Sequence, residues 1–197
     1  MTPFLHIVVA DDEADVRDYY HKILPRLGHS VVASAATGIE LIALCRTHQP
    51  DLVITDIKMP DMDGIEAAIK IYDDKPIPVI LVSAYSNEKL IERAEADHIM
   101  AYLVKPIKQA DLEPAIALAV RRFKQFEELR REASDMRQAL VDRKIIERAK
   151  GILMKELNLS EAEAFRRLQK MASAKSLKLI EAAQLAITTQ PRSWDNS

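Results

Sequence analysis

The sequence holds a single cysteine, Cys45, and only four glycines in 197 residues. One cysteine excludes a disulfide framework and points to a reducing compartment, the cytoplasm. So few glycines leave little material for a nucleotide-binding loop, and no such loop precedes a helix, which argues against a kinase. Aromatics make up 5% of the chain, which disfavours recognition by aromatic stacking platforms. No apolar run approaches the ~20 residues of a membrane span, and the start, MTPFLHIVVADDE, lacks a basic flank and a cleavage site. The histidines at 6, 21, 29, 48 and 98 show no metal-ligand spacing, so a structural zinc site is not expected. What is present is 48% hydrophobic and 29% charged residues, the proportions of a soluble globular protein of one or two domains.

The net charge of −2 conceals a division. Residues 1–120 carry 11 basic and 19 acidic side chains, whereas residues 121–197 carry 17 and 11. An acidic front and a basic back suggest two modules with different partners. The hydrophobic pattern changes at the same place. Before it, apolar runs at 5–10, 31–36, 52–56, 78–83 and 101–104 alternate with helical stretches at 14–27 (closed by Gly28), 39–48, 65–72 and 88–97. Continuous rather than alternating apolarity suits strands buried on both faces, so the expected fold is a doubly wound α/β domain with a parallel five-stranded sheet.

From Leu112 to about Glu156 the chain has one glycine, Gly151, and one proline, Pro114, and apolar residues recur in steps of three or four. This predicts one helix of about 67 Å at 1.5 Å per residue. Its stripe Phe123, Phe126, Leu129, Ala133, Met136, Leu140 reads as a coiled-coil seam between two copies of the chain. Two successive steps of three at 123–126–129 break a strict heptad, and packing on the first module is the alternative. Two shorter helices follow. Ser160 and Glu163 have capping-box spacing, with Ala162, Phe165, Leu168 and Met171/Ala172 inward. Ser176 is expected to cap the last helix, with Ile180, Ala183 and Ile187 inward, before a frayed tail at 191–197 containing Trp194.

In a parallel sheet, ligands gather at the carboxyl ends of the strands. The polar residues there are Asp11 and Asp12 after the first run, Asp56 after the third, Ser83 after the fourth and Lys105 after the fifth. Three carboxylates so placed repel unless a cation neutralises them, and an all-oxygen set points to Mg²⁺. A lysine and a hydroxyl beside that cluster can hold the oxygens of a transferring phosphoryl group.

Asp11-Asp12, the segment from Asp56 to Gly64, Ser83-Ala84, Tyr102 and Lys105-Pro106 together resemble the receiver domain of two-component response regulators, over about residues 4–122. The resemblance implies a flavodoxin-like strand order and makes Asp56 the phosphoacceptor for a sensor histidine kinase. It implies Mg²⁺ held by Asp11, Asp12, Asp56 and the backbone carbonyl of Lys58. Lys105 would pair with the phosphoryl group, Ser83 (often Thr in the family) would hydrogen-bond it, and Tyr102 would swing inward when Ser83 moves. The Lys105–Pro106 bond is cis in that family. Such a chain accepts a phosphoryl group and loses it slowly, and is no enzyme otherwise.

The stretch 139–154 with 160–168, above all Ala149-Lys-Gly-Ile-Leu-Met154, resembles the ANTAR domain, a three-helix RNA-binding output of antitermination regulators. Helix geometry gives a separate reading. At ~100° per residue, Ile145, Ile146, Ala149, Ile152, Leu153 and Leu157 share one broad arc, while Lys144, Arg148, Gly151 and Lys155 form a narrow stripe outside it. That stripe reads as facing RNA, extended by Arg166 and Lys170. The alternative is a solvated basic face with Gly151 relieving helix crowding. The expected domains are a receiver at 1–122, a coiled-coil linker at 123–138 and the ANTAR domain at 139–190. The expected function is phosphorylation-promoted dimerisation and binding of RNA hairpins in nascent transcripts, preventing termination. The competing classes are a DNA-binding regulator and a protein-binding adaptor.

Overall fold

In the computed structural model, residues 3–84 and 99–189 are described. The predicted helix 88–97, His98 and the tail with Trp194 lie outside them. Contacts divide the chain into two compact units, meeting between Glu127 and Glu128.

The first unit holds strands β1 (His6–Ala10), β2 (Ser30–Ala35), β3 (Leu52–Asp56), β4 (Val79–Ser83) and β5 (Ile99–Val104). All adjacent pairs are parallel, in the order β2-β1-β3-β4-β5, the flavodoxin-like arrangement. Helices α1 (Ala14–Ile23), α2 (Gly38–His48) and α3 (Gly64–Asp74) come from the same unit. Successive strand residues point to opposite faces. Ile7, Val9, Ile54, Ile80 and Val82 therefore pack on Tyr20 and Ile23 of α1 and on Leu24 just after it. Val8, Val53, Val79 and Leu81 pack on Leu41 and Cys45 of α2 and Ile65 and Ile71 of α3. Both faces being covered explains why the strands read as unbroken apolar runs.

The predicted helix 14–27 is in fact α1 followed by a 3-10 turn, Pro25–Leu27. Pro25 lacks the N–H an α-helix requires there, and Gly28, at φ +82°, turns the chain into β2. The following helix, α4 (Gln109–Leu157), runs for 49 residues, roughly 73 Å. Its first turns, through Leu112, Ile116 and Ala119, close the α1 face of the sheet, and Phe123 packs against the same core. Phe123 thus packs within the first unit. Without it, the remaining positions 126, 129, 133, 136 and 140 follow steps of three and four alternately, the spacing of an unbroken heptad.

The second unit packs the end of α4 against α5 (Glu161–Ala174) and α6 (Leu179–Thr188) around Ala149, Leu153, Ala164, Leu168, Ala183 and Ala186. Ser160 caps α5 as predicted, in a reciprocal box with Glu163. The inward residue is Ala164, not Ala162, which is exposed. Steps of four from Leu168 reach 164 and 172, whereas 162 lies round the axis. Phe165 is only half-buried. Ser176 is not a cap. It adopts φ +54° in the link between the two helices, where Leu177 N–H returns to the Ala172 carbonyl. The cap position is Lys178, whose N–H donates to Glu181 at 2.8 Å, and that later start brings Leu179 rather than Ile180 onto the core.

Candidate functional site

The carboxyl edge of the sheet gathers the acidic and basic residues that the sequence places at strand ends. Asp11 follows β1 fully buried, Asp56 and Ser83 end β3 and β4 buried, and Lys105 follows β5. Lys105 N–H donates to the Ser83 carbonyl at 2.8 Å, and Ile57 N–H to the Val82 carbonyl at 2.9 Å, tying three strand ends together. The Lys105–Pro106 peptide is cis. Tyr102, half-buried on β5, packs against the α2/α3 face of the core.

The loop after β3 depends on Gly64. A Cβ there would collide with the Asp56 carbonyl oxygen. Gly64 N–H instead donates to the Ile57 carbonyl at 2.9 Å, while Asp63 caps α3. Asp56 is thereby fixed, and one of its oxygens also accepts from Lys58 N–H at 3.1 Å.

Ligand oxygens of Asp11, Asp12 and Asp56 lie within 4.8 Å of one another. Lys105 Nζ stands 2.8 Å from Asp11, 3.5 Å from Asp56 and 3.3 Å from Glu13. Burial pushes the Lys105 ammonium pKa down, but hydrogen bonding and charge from Asp11, with help from Asp56 and Glu13, lift it to about 12. Burial pushes the Asp56 carboxyl up. Asp11 and Asp12 push the same way, and Lys105 only partly opposes them. Three buried or clustered acids against one lysine leave a negative pocket of hard oxygen donors, which suits Mg²⁺.

Two residues at this edge escape the sequence reading. Arg17 Nη1 donates to the carbonyls of Asp11 at 2.8 Å and Asp12 at 3.1 Å, clamping the loop that carries both acids. Glu13 shares Lys105 and donates its N–H to Asp11 at 3.0 Å. A basic residue one turn into the helix after an acidic triplet was the available signal.

In the second unit, Lys144, Arg148, Gly151 and Lys155 are all exposed, opposite the buried Ala149 and Leu153. Among the described residues, a Cβ at Gly151 would meet nothing within 4 Å, so this glycine relieves no crowding among them. Arg166 and Lys170, on α5, are exposed as well. They line a separate groove with Leu157 and Leu159 that includes none of the four. Lys150, the lysine of the Ala149–Met154 segment, is turned inward. Its Nζ is 3.0 Å from Glu147 and 2.6 Å from Glu161, tying α4 to the start of α5.

A parallel sheet with this acid–lysine edge, joined to a basic helical unit, defines a response regulator. The chain belongs to the response regulator receiver domain family, whose model matches residues 7–117, and the ANTAR domain model matches residues 126–185. Both mark a two-component regulator rather than a catalytic enzyme. The transcriptional regulatory protein PdtaR of Mycobacterium tuberculosis is 38% identical over 183 residues, covering 93% of this chain and 89% of that one. The transcriptional regulatory protein HptR of Staphylococcus aureus is 33% identical over 119 residues, 58% of this chain and 46% of its own. Among solved structures, CheY of Borrelia burgdorferi, crystallised with CheX, BeF₃ and Mg²⁺, superposes with a TM-score of 0.54 at 29% identity, covering 58% of this chain and 87% of that one.

Proposed function

We propose that Asp56 accepts a phosphoryl group from a sensor histidine kinase, and that phosphorylation promotes pairing of two chains and binding of RNA hairpins to prevent transcription termination. The observation that carries the chemistry is the meeting of Asp11, Asp12, Asp56 and Lys105 at one sheet edge, the lysine within 3.5 Å of two of the acids. An Asp56 carboxylate oxygen attacks phosphorus. The bond from phosphorus to the donor imidazole breaks, and the imidazole leaves with the nitrogen's electron pair. Asp11, Asp12 and Asp56, with the Lys58 carbonyl, would hold Mg²⁺, which supplies charge neutralisation at the phosphoryl oxygens. Lys105 already stands beside Asp56 to pair with the incoming charge. Ser83 hydrogen-bonds the phosphoryl group, and Tyr102 follows it inward.

Pairing rests on α4. Leu129, Met136 and Leu140 are 66%, 69% and 61% exposed, and with Phe126 and Ala133 they complete the heptad. Large apolar side chains so spaced on a long helix suit a second copy of that helix. The RNA reading rests on the ANTAR match and on the exposed stripe Lys144, Arg148, Gly151, Lys155, where an open glycine admits a phosphate or base to the backbone.

The test is labelling of the full chain by a small phosphodonor in Mg²⁺. Asp56→Asn should abolish it, and wild-type stoichiometry in that variant overturns the assignment.

A further inference from the structure

We propose that the groove between the end of α4 and α5 receives one unpaired nucleotide of an RNA loop. This rests on the RNA reading above and adds a second contact to it. The groove encloses about 470 Å³ and is lined by Leu157, Leu159, Glu163, Arg166, Arg167 and Lys170. That volume falls in the roughly 300–1,000 Å³ range of small-ligand sites. Leu157 and Leu159 pack against the core of the unit and give it an apolar floor. Three cations and one acid surround that floor. The acid, Glu163, is engaged by the Ser160 N–H at 2.8 Å and Oγ at 2.6 Å, so capping α5 occupies it.

Arg166 and Lys170 also border a second, adjoining hollow with Gln169, Ser173 and Ala174, which continues the basic track along α5. An apolar floor beneath cations matches a nucleotide: the base lies on the leucines and under a guanidinium plane, and the phosphates follow the cations. Loop nucleotides are unstacked and can present a base in this way, whereas bases in duplex DNA cannot. Leu157 lies about 200° round the helix from Lys155, so the groove and the stripe face different directions and grip different parts of one RNA.

The experiment selects a hairpin from a pool with a constant stem and a randomised loop, using the phosphorylated full chain. Each loop nucleotide is then replaced singly by an abasic residue. Arg166→Glu should lower affinity about tenfold, with unchanged circular dichroism because the side chain is exposed. At one loop position the abasic replacement should cost wild type about tenfold and cost Arg166→Glu and Leu159→Ala almost nothing, the non-additivity expected of direct contact. Wild-type affinity in both variants, or equal abasic penalties in all three proteins, overturns the groove and leaves the RNA reading standing. If wild type selects no hairpin, both fall.

Discussion

Each unit contains a lysine held among carboxylates, and the two do different things. Lys105 and Lys150 have side chains 18% and 9% exposed, and each lies within 3.0 Å of at least one acid. The partners of Lys150, Glu147 and Glu161, are more than half exposed. Two surface acids satisfy one cation, and the result is a tie between helices. The partners of Lys105 include Asp11 and Asp56, which are buried and contributed by different strands, with Asp12 beside them. Acids outnumber both lysines, but solvent screens the partners of Lys150, whereas Asp11 and Asp56 are buried, so the pocket around Lys105 stays short of positive charge until a cation supplies it. Reactivity follows from the unbalanced cluster, not from the buried lysine.

Substitutions can break that comparison, beginning with the largest effect. Lys105→Met should leave Mg²⁺ affinity within about threefold of wild type, since the lysine is no ligand, yet lower phosphorylation-dependent RNA binding by about tenfold or more. Fluorescence titration with Mg²⁺ and gel shifts of the treated protein read the two separately. Loss of metal binding would place Lys105 in the metal site instead. Lys150→Met should leave labelling at Asp56 unchanged and lower the melting temperature of the C-terminal unit. RNA affinity should fall with the salt dependence kept, because a neutralised lysine contributes no counterion release. A flattened salt slope in Lys150→Met would make it an RNA contact after all. By contrast Arg148→Ala, on the exposed stripe, should flatten that slope by about one phosphate contact.

Smaller again is the effect expected along α4. Phe126→Glu puts a charge on the heptad, and sedimentation of the phosphorylated chain should show weaker pairing while the receiver remains folded. An unchanged dimer would move the contact elsewhere. Phe123→Glu, in contrast, should destabilise the receiver, because Phe123 packs on its core.

Legibility in the sequence followed the same division. Strand ends in a parallel sheet converge by topology, so Asp11, Asp56, Ser83 and Lys105 could be placed at one edge from their positions after apolar runs. Arg17 could not, because its job is done through backbone carbonyls, which leave no trace in a pattern of side chains. In the C-terminal unit the arc of α4 was readable from 3.6-residue periodicity, but the phase of α5 was not. Ala162 and Ala164 are the same residue type two positions apart, and choosing between them requires the phase set by the buried Leu168. Likewise Ser176 carries the composition of a cap, and tertiary closure of the link between α5 and α6 passed that task to Lys178. Arg166 and Lys170 were grouped with the stripe by charge alone.

The unbalanced acid cluster also has a cost in stability, and pH exposes it. Burial, then Asp11 and Asp12, hold the Asp56 carboxyl above its ordinary value despite Lys105. A carboxyl raised in the folded state favours folding while protonated, and that contribution is lost as pH rises through the folded value. At neutral pH without divalent cation, ionised Asp56 therefore destabilises the receiver. Asp56→Asn should melt at a higher temperature than wild type under those conditions. The gap should shrink as pH falls through the raised folded-state value, where wild-type Asp56 regains its proton. Mg²⁺ should then raise the wild-type midpoint, by linkage to whatever holds the folded form, and raise that of Asp56→Asn less. Thermal melts from pH 4 to 8, with chelator and with Mg²⁺, test both halves. A wild type that melts above Asp56→Asn in chelator at neutral pH would mean that Lys105 overcompensates the cluster, and the pocket would then have no electrostatic need of a cation.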